Sequence, residues 1–240
     1  MSFMKKSFSV LSLILLSGCA GTPGNNDPYQ KFNRNSFEFN LEIDRNVLKP
    51  VANAYKSVTH DAVRESVSNF LFNIKEPFYM VNYVLSGDVD NALTSLFRFF
   101  INSTFGLLGL VDASSHFGVQ RRETSHHETL TKLKFENGDF IMLPILGSSS
   151  TRDAVTEPVS WFADPVGYFI GFPWMLGKAV LSAVNTRAEN GEFIDKSLKD
   201  VADPYSTVKS LYFQKYGVKT EAEKKKEHDE EMAALQDDDE

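Results

Sequence analysis

The sequence predicts a mostly α-helical single domain with one small β-hairpin, and three observations carry that prediction. Apolar residues recur at steps of three and four across most of residues 28–217, the spacing that lines one face of a helix. Aspartates, prolines and glycines punctuate this periodicity at helix-length intervals. One Asn137-Gly138 pair stands between two short strand-like runs and is the chain's strongest hairpin signal.

The elements follow in order. Tyr29, Phe32, Ser36, Phe39 or Asn40, Ile43 and Val47 define a first helix, which Pro50 ends or kinks. Asp61 caps a second, with Val63, Val67, Phe70, Leu71 and Ile74 as its apolar stripe. Pro77 interrupts it, and Gly87 sits where a helix stop is expected. Asp88 caps a third helix, Val89 to Asn102, dense in Leu96, Phe97, Phe99, Phe100 and Ile101. Past Gly106 and Gly109 the chain reads as irregular to about Glu128. Residues 132–136 and 139–143 then alternate around Asn137-Gly138, a pair that tolerates the positive φ angles of a type I′ turn. Ser150 or Thr151 starts a short helix, and Trp174 to Ala188 forms another with Asn190-Gly191 behind it. Two more are expected near Glu192–Val201 and Pro204–Tyr216, and no internal repeat is visible.

Both ends of the chain lie outside this body. Lys5 and Lys6 precede an apolar run from Phe8 to Leu16, too short for a bilayer span of about 20 residues. The run closes on Leu16-Ser17-Gly18-Cys19, a complete bacterial lipobox. Residues 1–18 therefore read as a lipoprotein signal peptide, and the Cys19 thiolate as the attachment point of a lipid anchor. Each methylene of such an anchor adds about 0.8 kcal/mol of membrane affinity. Cys19 is the only cysteine, which excludes an internal disulfide. Residues 19–27 form the lipidated tether. Ala20 and Gly21 stand where an aspartate would mark inner-membrane retention, so the expected address is the outer membrane, on its periplasmic side. Residues 218–240 form a charged tail: from Lys219 to Glu240 there are ten acidic and four basic residues. Without tail and signal the body carries a net charge of only −3, which argues against nucleic acid as a partner.

The apolar residues are unusual in kind, with 20 Phe and 8 Tyr against 2 Trp. They gather in three uncharged stretches, Phe99 to Val111, Phe140 to Thr151 and Pro165 to Gly177. Each is well short of a transmembrane helix. Buried core accounts for any one of them; three together, on a chain tied to a bilayer, suggest apolar surface within lipid.

Chemistry-bearing patterns fail on inspection. Gly171 and Gly177-Lys178-Ala179 have the wrong spacing for a phosphate loop, and Ala179 stands where a magnesium-binding hydroxyl is needed. His126-His127-Glu128 reads as a surface pair, since adjacent histidines diverge on regular backbone and no zinc-like spacing surrounds them. No Gly-x-Ser-x-Gly elbow is present. Asp112, Asp153 and Asp164 lie near helix ends and read as caps or ion-pair partners. The expectation is no enzyme, no metal and no cofactor.

A longer pattern begins at Asp27-Pro-Tyr-Gln-Lys-Phe-Asn-Arg-Asn-Ser-Phe-Glu-Phe-Asn40. With Leu48-Lys-Pro-Val-Ala52, Val67-Ser-Asn-Phe70, Val81-Asn82, Ser86-Gly87-Asp88 and Arg98-Phe-Phe-Ile-Asn-Ser-Thr-Phe-Gly106, it closely resembles the MlaA (VacJ) family of outer-membrane lipoproteins. The likeness continues through Asp112-Ala113, Leu143-Pro144, Gly147, Arg152-Asp153, Thr186-Arg187-Ala188 and Asp203-Pro204-Tyr205, covering about residues 27–217.

The resemblance implies a ring-like helical domain embedded in one membrane leaflet and associated with a trimeric porin. It implies that phospholipid misplaced in the outer leaflet is removed and passed to the periplasmic carrier MlaC, which is retrograde transport maintaining lipid asymmetry. A charged head group resists crossing hydrocarbon, so a body apolar outside and partly polar inside would give it a wet path. On that view Phe97, Phe99, Phe100 and Phe105 are candidates for the lipid-facing or core shell, and Asn102, Ser103 and Thr104 for a polar lining. The family places gating on the first helix and on a hairpin, here Phe39-Asn40 and residues 132–143 with Asn137 and Gly138. This chain departs from the family at that hairpin, with His126-His127 in place of Phe-Gly and fewer glycines thereafter, which implies a stiffer element. The competing readings are a structural lipoprotein that braces porins without moving lipid, and an envelope phospholipase.

Overall fold

The computed structural model describes residues 27–160, 171–199 and 201–216. Cys19, the tether up to residue 26, Asp164 and the acidic tail lie outside them. Helix α1 spans Gln30–Ile43 and buries Asn33, Ser36 and Phe37 on one face. It passes without a break through a wider π-helical turn, Asp44–Leu48, into α2, Lys49–Val58. Pro50 therefore neither ends nor caps the first helix. Lacking an N–H and crowding the carbonyl one turn back, it is accommodated by a local widening of the ladder just before it.

Helix α3, Asp61–Leu85, runs uninterrupted through Pro77, where the sequence predicts a break. A proline inside a helix costs about 3 kcal/mol, and here the flanking residues are held from outside. Glu76 is paired with Arg98, and Tyr79 packs in a small cluster with Tyr83 and Ala92. α4, Val89–Thr104, supplies both partners and makes with α3 the most extensive helix pair of the molecule. Asp88 caps α4 as expected, accepting from the Asn91 N–H at 3.2 Å.

The stretch after α4 holds two short helices the periodicity did not reveal, α5 at Ala113–His116 and α6 at His126–Lys132, each capped by a side chain, Asp112 and Ser125. The hairpin exists but one strand later than predicted. β1, Phe140–Leu143, pairs antiparallel with β2, Gly147–Ser150, in the register Phe140↔Ser150 to Leu143↔Gly147. The turn is Pro144 to Leu146, and Asn137-Gly138 precedes β1. Only Gly138 of that pair has positive φ, at 68°, whereas a type I′ turn needs both. A Cβ at Gly138 would lie 2.2 Å from the Thr151 hydroxyl. Glycine thus allows the chain to pass against the start of α7, Thr151–Ser160, rather than fold back there.

α8, Phe172–Lys199, is one continuous helix where two were expected. Gly191 sits inside it because a Cβ would come within 2.9 Å of Arg187 Nη1, which donates to the Gly191 carbonyl at 3.1 Å. The glycine makes room for a guanidinium and does not stop the helix. α9, Pro204–Tyr216, closes the described chain and buries Tyr205 and Tyr212 against Phe37, Phe140 and Met142. Among the described residues no helix is long and apolar enough to cross a membrane.

Candidate functional site

The two faces of α4 are reversed relative to a water-soluble helix. Ala92, Ser95, Arg98 and Asn102 point inward, while Leu93, Leu96, Phe97 and Phe100 face out, Phe100 at 57% exposure. α1 and α3 repeat the pattern in part, since they also bury Phe37, Leu71, Ile74, Tyr79 and Tyr83. Asn33 and Ser36 are buried with Phe32 and Phe39 exposed; Asn73, Glu76 and Asn82 are buried with Val81, Val84 and Leu85 exposed. The loop after α4 extends the apolar surface. Phe105 and Leu108 are 72% and 70% exposed, and Leu107 and Leu108 both hold the left-handed conformation that leucine ordinarily avoids. Water rewards the opposite arrangement, so this exterior suits lipid or a protein partner.

The buried charged groups are organised around Arg98. Arg98 uses all five of its N–H donors: Nε to Glu76 at 2.8 Å, Nη2 to both Asp112 oxygens at 2.9 and 3.0 Å, and Nη1 to the Val119 carbonyl at 2.5 Å and Ser115 Oγ at 3.4 Å. The two carboxylates respond oppositely. Burial pushes the Glu76 pKa up and outweighs Arg98, and its second oxygen, Oε2, has no hydrogen-bond partner. For Asp112 burial pushes the same way, but hydrogen bonds from Ser115 and Arg98 overcome it and hold the pKa down.

At the other end of the molecule α1 grips the hairpin through two asparagines seven residues apart. Asn33 donates through Nδ2 to the Phe140 carbonyl at 3.2 Å and accepts from the Met142 N–H at 2.8 Å. Asn40 donates to the Leu143 carbonyl at 3.0 Å and accepts from the Ile145 N–H at 2.6 Å. Each amide bonds the C=O of one hairpin residue and the N–H two residues on, as a neighbouring strand would. The same junction fixes Asp27, whose buried carboxylate accepts from Asn33, Tyr205 and Lys209 at 3.0, 2.5 and 2.9 Å. One turn beyond Asn40, Asp44 enters a cleft of about 430 Å3 between the π-helical turn and α8. Small side chains of α8, Ala179, Ser182, Ala183 and Thr186, line it, and the Asp44–Arg187 ion pair at 2.8 Å lies along one wall.

The predicted site residues separate into groups. Phe39 is exposed, whereas Asn40 holds the hairpin. Asn102 is buried with its amide spent on Asp112 and the Ser114 N–H, and Ser103 accepts from Asn73 at 2.9 Å. Thr104 is exposed, its hydroxyl turned back onto the Phe100 carbonyl. Phe97, Phe100 and Phe105 lie on the outside, and half-buried Phe99 packs edge-on against Phe100. Asn137 and Gly138 sit at the entry to β1. Sequence reasoning missed both Asn33 at the hairpin and the buried Arg98–Glu76 pair, because an asparagine's or a glutamate's partner is a fact of tertiary structure.

The reading of His126-His127 as a surface pair is corrected. His127 is buried, bonds Asp153 through Nδ1 and stacks on Tyr216 at 3.9 Å between ring centres. Burial raises the Asp153 pKa, but hydrogen bonds from His127, Arg152 and Ser150 more than offset it and hold it at about 2. His127 Nε2, where a hydrolase would seat a serine or cysteine, has no hydrogen-bond partner. Among the described residues no three His, Cys, Asp or Glu side chains are grouped to hold a metal.

A family model, the MlaA lipoprotein, matches residues 25–219. The chain belongs to the MlaA lipoprotein family. It is 32% identical to the intermembrane phospholipid transport system lipoprotein MlaA of Escherichia coli, over 98% of this chain and 97% of that protein. It is 31% identical to the lipoprotein of the same name from Haemophilus influenzae, with 86% of each covered. A chain solved in work on the structural basis for maintenance of bacterial outer membrane lipid asymmetry superimposes with a TM-score of 0.71 at 33% identity, covering 79% of this chain and 96% of that one. Family membership agrees with the predicted fold class, mostly helical with one hairpin.

Proposed function

We propose that this chain is an outer-membrane lipoprotein that removes misplaced phospholipid from the outer leaflet and hands it to a periplasmic carrier of the MlaC type. The observation that carries this reading is the reversed polarity of α4, with Ser95, Arg98 and Asn102 inside and Leu93, Phe97 and Phe100 outside. An apolar exterior without a spanning helix lets the body rest in one leaflet. A polar interior lowers the cost of moving a charged head group, which in bare hydrocarbon is several kcal/mol or more. Cys19 would carry the anchor, and Asp27, eight residues on, ties the tether's end to the hairpin junction. That places the anchor within about 30 Å of the element assigned to gating. Phe39, Asn40, Asn137 and Gly138 belong to that gate. The exposed faces of α4 and of the 105–111 loop meet lipid or a trimeric porin. Transport of this kind makes and breaks no covalent bond.

The test is reconstitution of the full chain in vesicles of phosphatidylethanolamine and phosphatidylglycerol containing a labelled phospholipid. Label should appear on an added periplasmic carrier only when the protein is present. Transfer at the protein-free rate would exclude the function.

A further inference from the structure

The outer end of the Arg98 network gathers two cations around one phenylalanine. Phe72 and Lys75 project one turn apart from α3, and Arg121 comes from the segment between α5 and α6. The Arg121 guanidinium carbon lies 3.8 Å from the Phe72 ring centre, held by a hydrogen bond from Nη2 to Asn69 Oδ1 at 3.2 Å, with Asp112 at 3.6 Å. The Lys75 ammonium approaches the same ring at 5.8 Å. Two cations thus approach one aromatic ring, which is favourable for each. Arg98 and Arg121 are matched by Glu76 and Asp112. Lys75 has no hydrogen bond or ion pair among the described residues, and Arg121 Nε is buried without an acceptor. Solvent reaches Lys75, yet the surrounding protein strips enough water to push its pKa down; Glu123 opposes this and Lys178 adds to it. A lysine open to solvent, poorly hydrated and without a direct ion pair, beside a guanidinium with an unpaired donor, suits an anion.

We propose that Phe72, Lys75 and Arg121 form the subsite that holds the phosphodiester of a glycerophospholipid head group. The proposal rests on the transport reading and names the chemistry by which substrate is recognised. A phosphate here would accept from Lys75 and supply the acceptor that the Arg121 Nε–H lacks.

The vesicle assay tests it with labelled phosphatidylethanolamine against labelled diacylglycerol, which has the same tails and no phosphate. The full chain should move the phospholipid and discriminate against diacylglycerol. Lys75→Gln, a change at an exposed position, should cut phospholipid transfer about tenfold, the loss expected for one charge-assisted hydrogen bond. Diacylglycerol transfer should stay as it was. Lys75→Glu should cut phospholipid transfer further. Glycerophosphoethanolamine should compete better than inorganic phosphate. Wild-type phospholipid transfer by Lys75→Gln would overturn the subsite and leave transport standing. Equal competition by inorganic phosphate would make the recess a free-anion site and overturn its assignment to lipid. No transfer of either lipid by the unmodified chain would overturn both readings.

Discussion

Arg98 and Glu76 are each 1% exposed, and the guanidinium between Glu76 and Asp112 is what allows two carboxylates to lie inside an apolar shell. Removing one partner of a buried pair costs more than the pair contributes, because the remaining charge is left without water or counterion. Arg98→Met should therefore destabilise the protein by about 3–5 kcal/mol, read from denaturant midpoints, and Glu76→Gln by less, since burial already opposes the charged form of its carboxyl. Equal effects would mean that the network is not organised around Arg98. Asp153 gives a prediction in pH. Its carboxyl is held at about 2 against an ordinary value of 3.8, so its contribution is fully present above 3.8 and fades as pH falls toward 2. Comparison of unfolding at pH 5 and pH 2.5 should show a loss in the wild type that Asp153→Asn largely removes. An Asp153→Asn variant with the wild-type pH dependence would place the acid sensitivity elsewhere.

At the scale of elements, the hairpin owes its outer edge to a helix. Asn33 and Asn40 occupy one face of α1 two turns apart, and each serves the backbone of the hairpin as a third strand would. Replacing Asn33 by Ala leaves the buried Met142 N–H and Phe140 C=O without partners and should cost about 1–3 kcal/mol. Asn40→Ala, at the more exposed end, should cost less but free the turn. Hydrogen exchange at Met142 and Ile145 would report each loss separately, and unchanged exchange in both variants would show that α1 does not hold the hairpin. Such elements are also where sequence reasoning succeeded and failed. The helices around Phe32, Val63 and Val89 were legible because their spacing is local. The positions of breaks were not, because Pro77 is overridden by the Glu76–Arg98 pair and Gly191 is reserved for Arg187. The hairpin was displaced because Asn137-Gly138 has turn chemistry, but Gly138 uses its positive φ to pass Thr151. His127 passed for a surface residue since nothing near it in sequence announces Asp153, twenty-six positions away.

At the scale of the molecule, α4 inverts the ordinary ordering of polarity among the described residues, α1 and α3 do so in part, and this bears on the composition. Phenylalanine is abundant because much of it is outside: Phe97, Phe100, Phe105 and Phe117 are exposed, while the cores are small aromatic clusters around Tyr79 and Tyr205. Asparagine, serine and arginine are among the buried residues, Arg98, Asn33 and Asn102 each held by specific partners. Such a body in water would expose enough apolar surface to aggregate, whereas lipid or a protein partner would cover it. The sequence made the apolar stretches legible, but not their direction, since a phenylalanine stripe reads alike whether it faces a core or a bilayer. The central claim is that this inversion serves to remove phospholipid from the outer leaflet. The most direct test is the phospholipid content of that leaflet in cells with the gene, without it, and with it restored. The account predicts that outer-leaflet phospholipid rises on deletion and returns to its starting level on re-expression; an outer leaflet unchanged by deletion would contradict it.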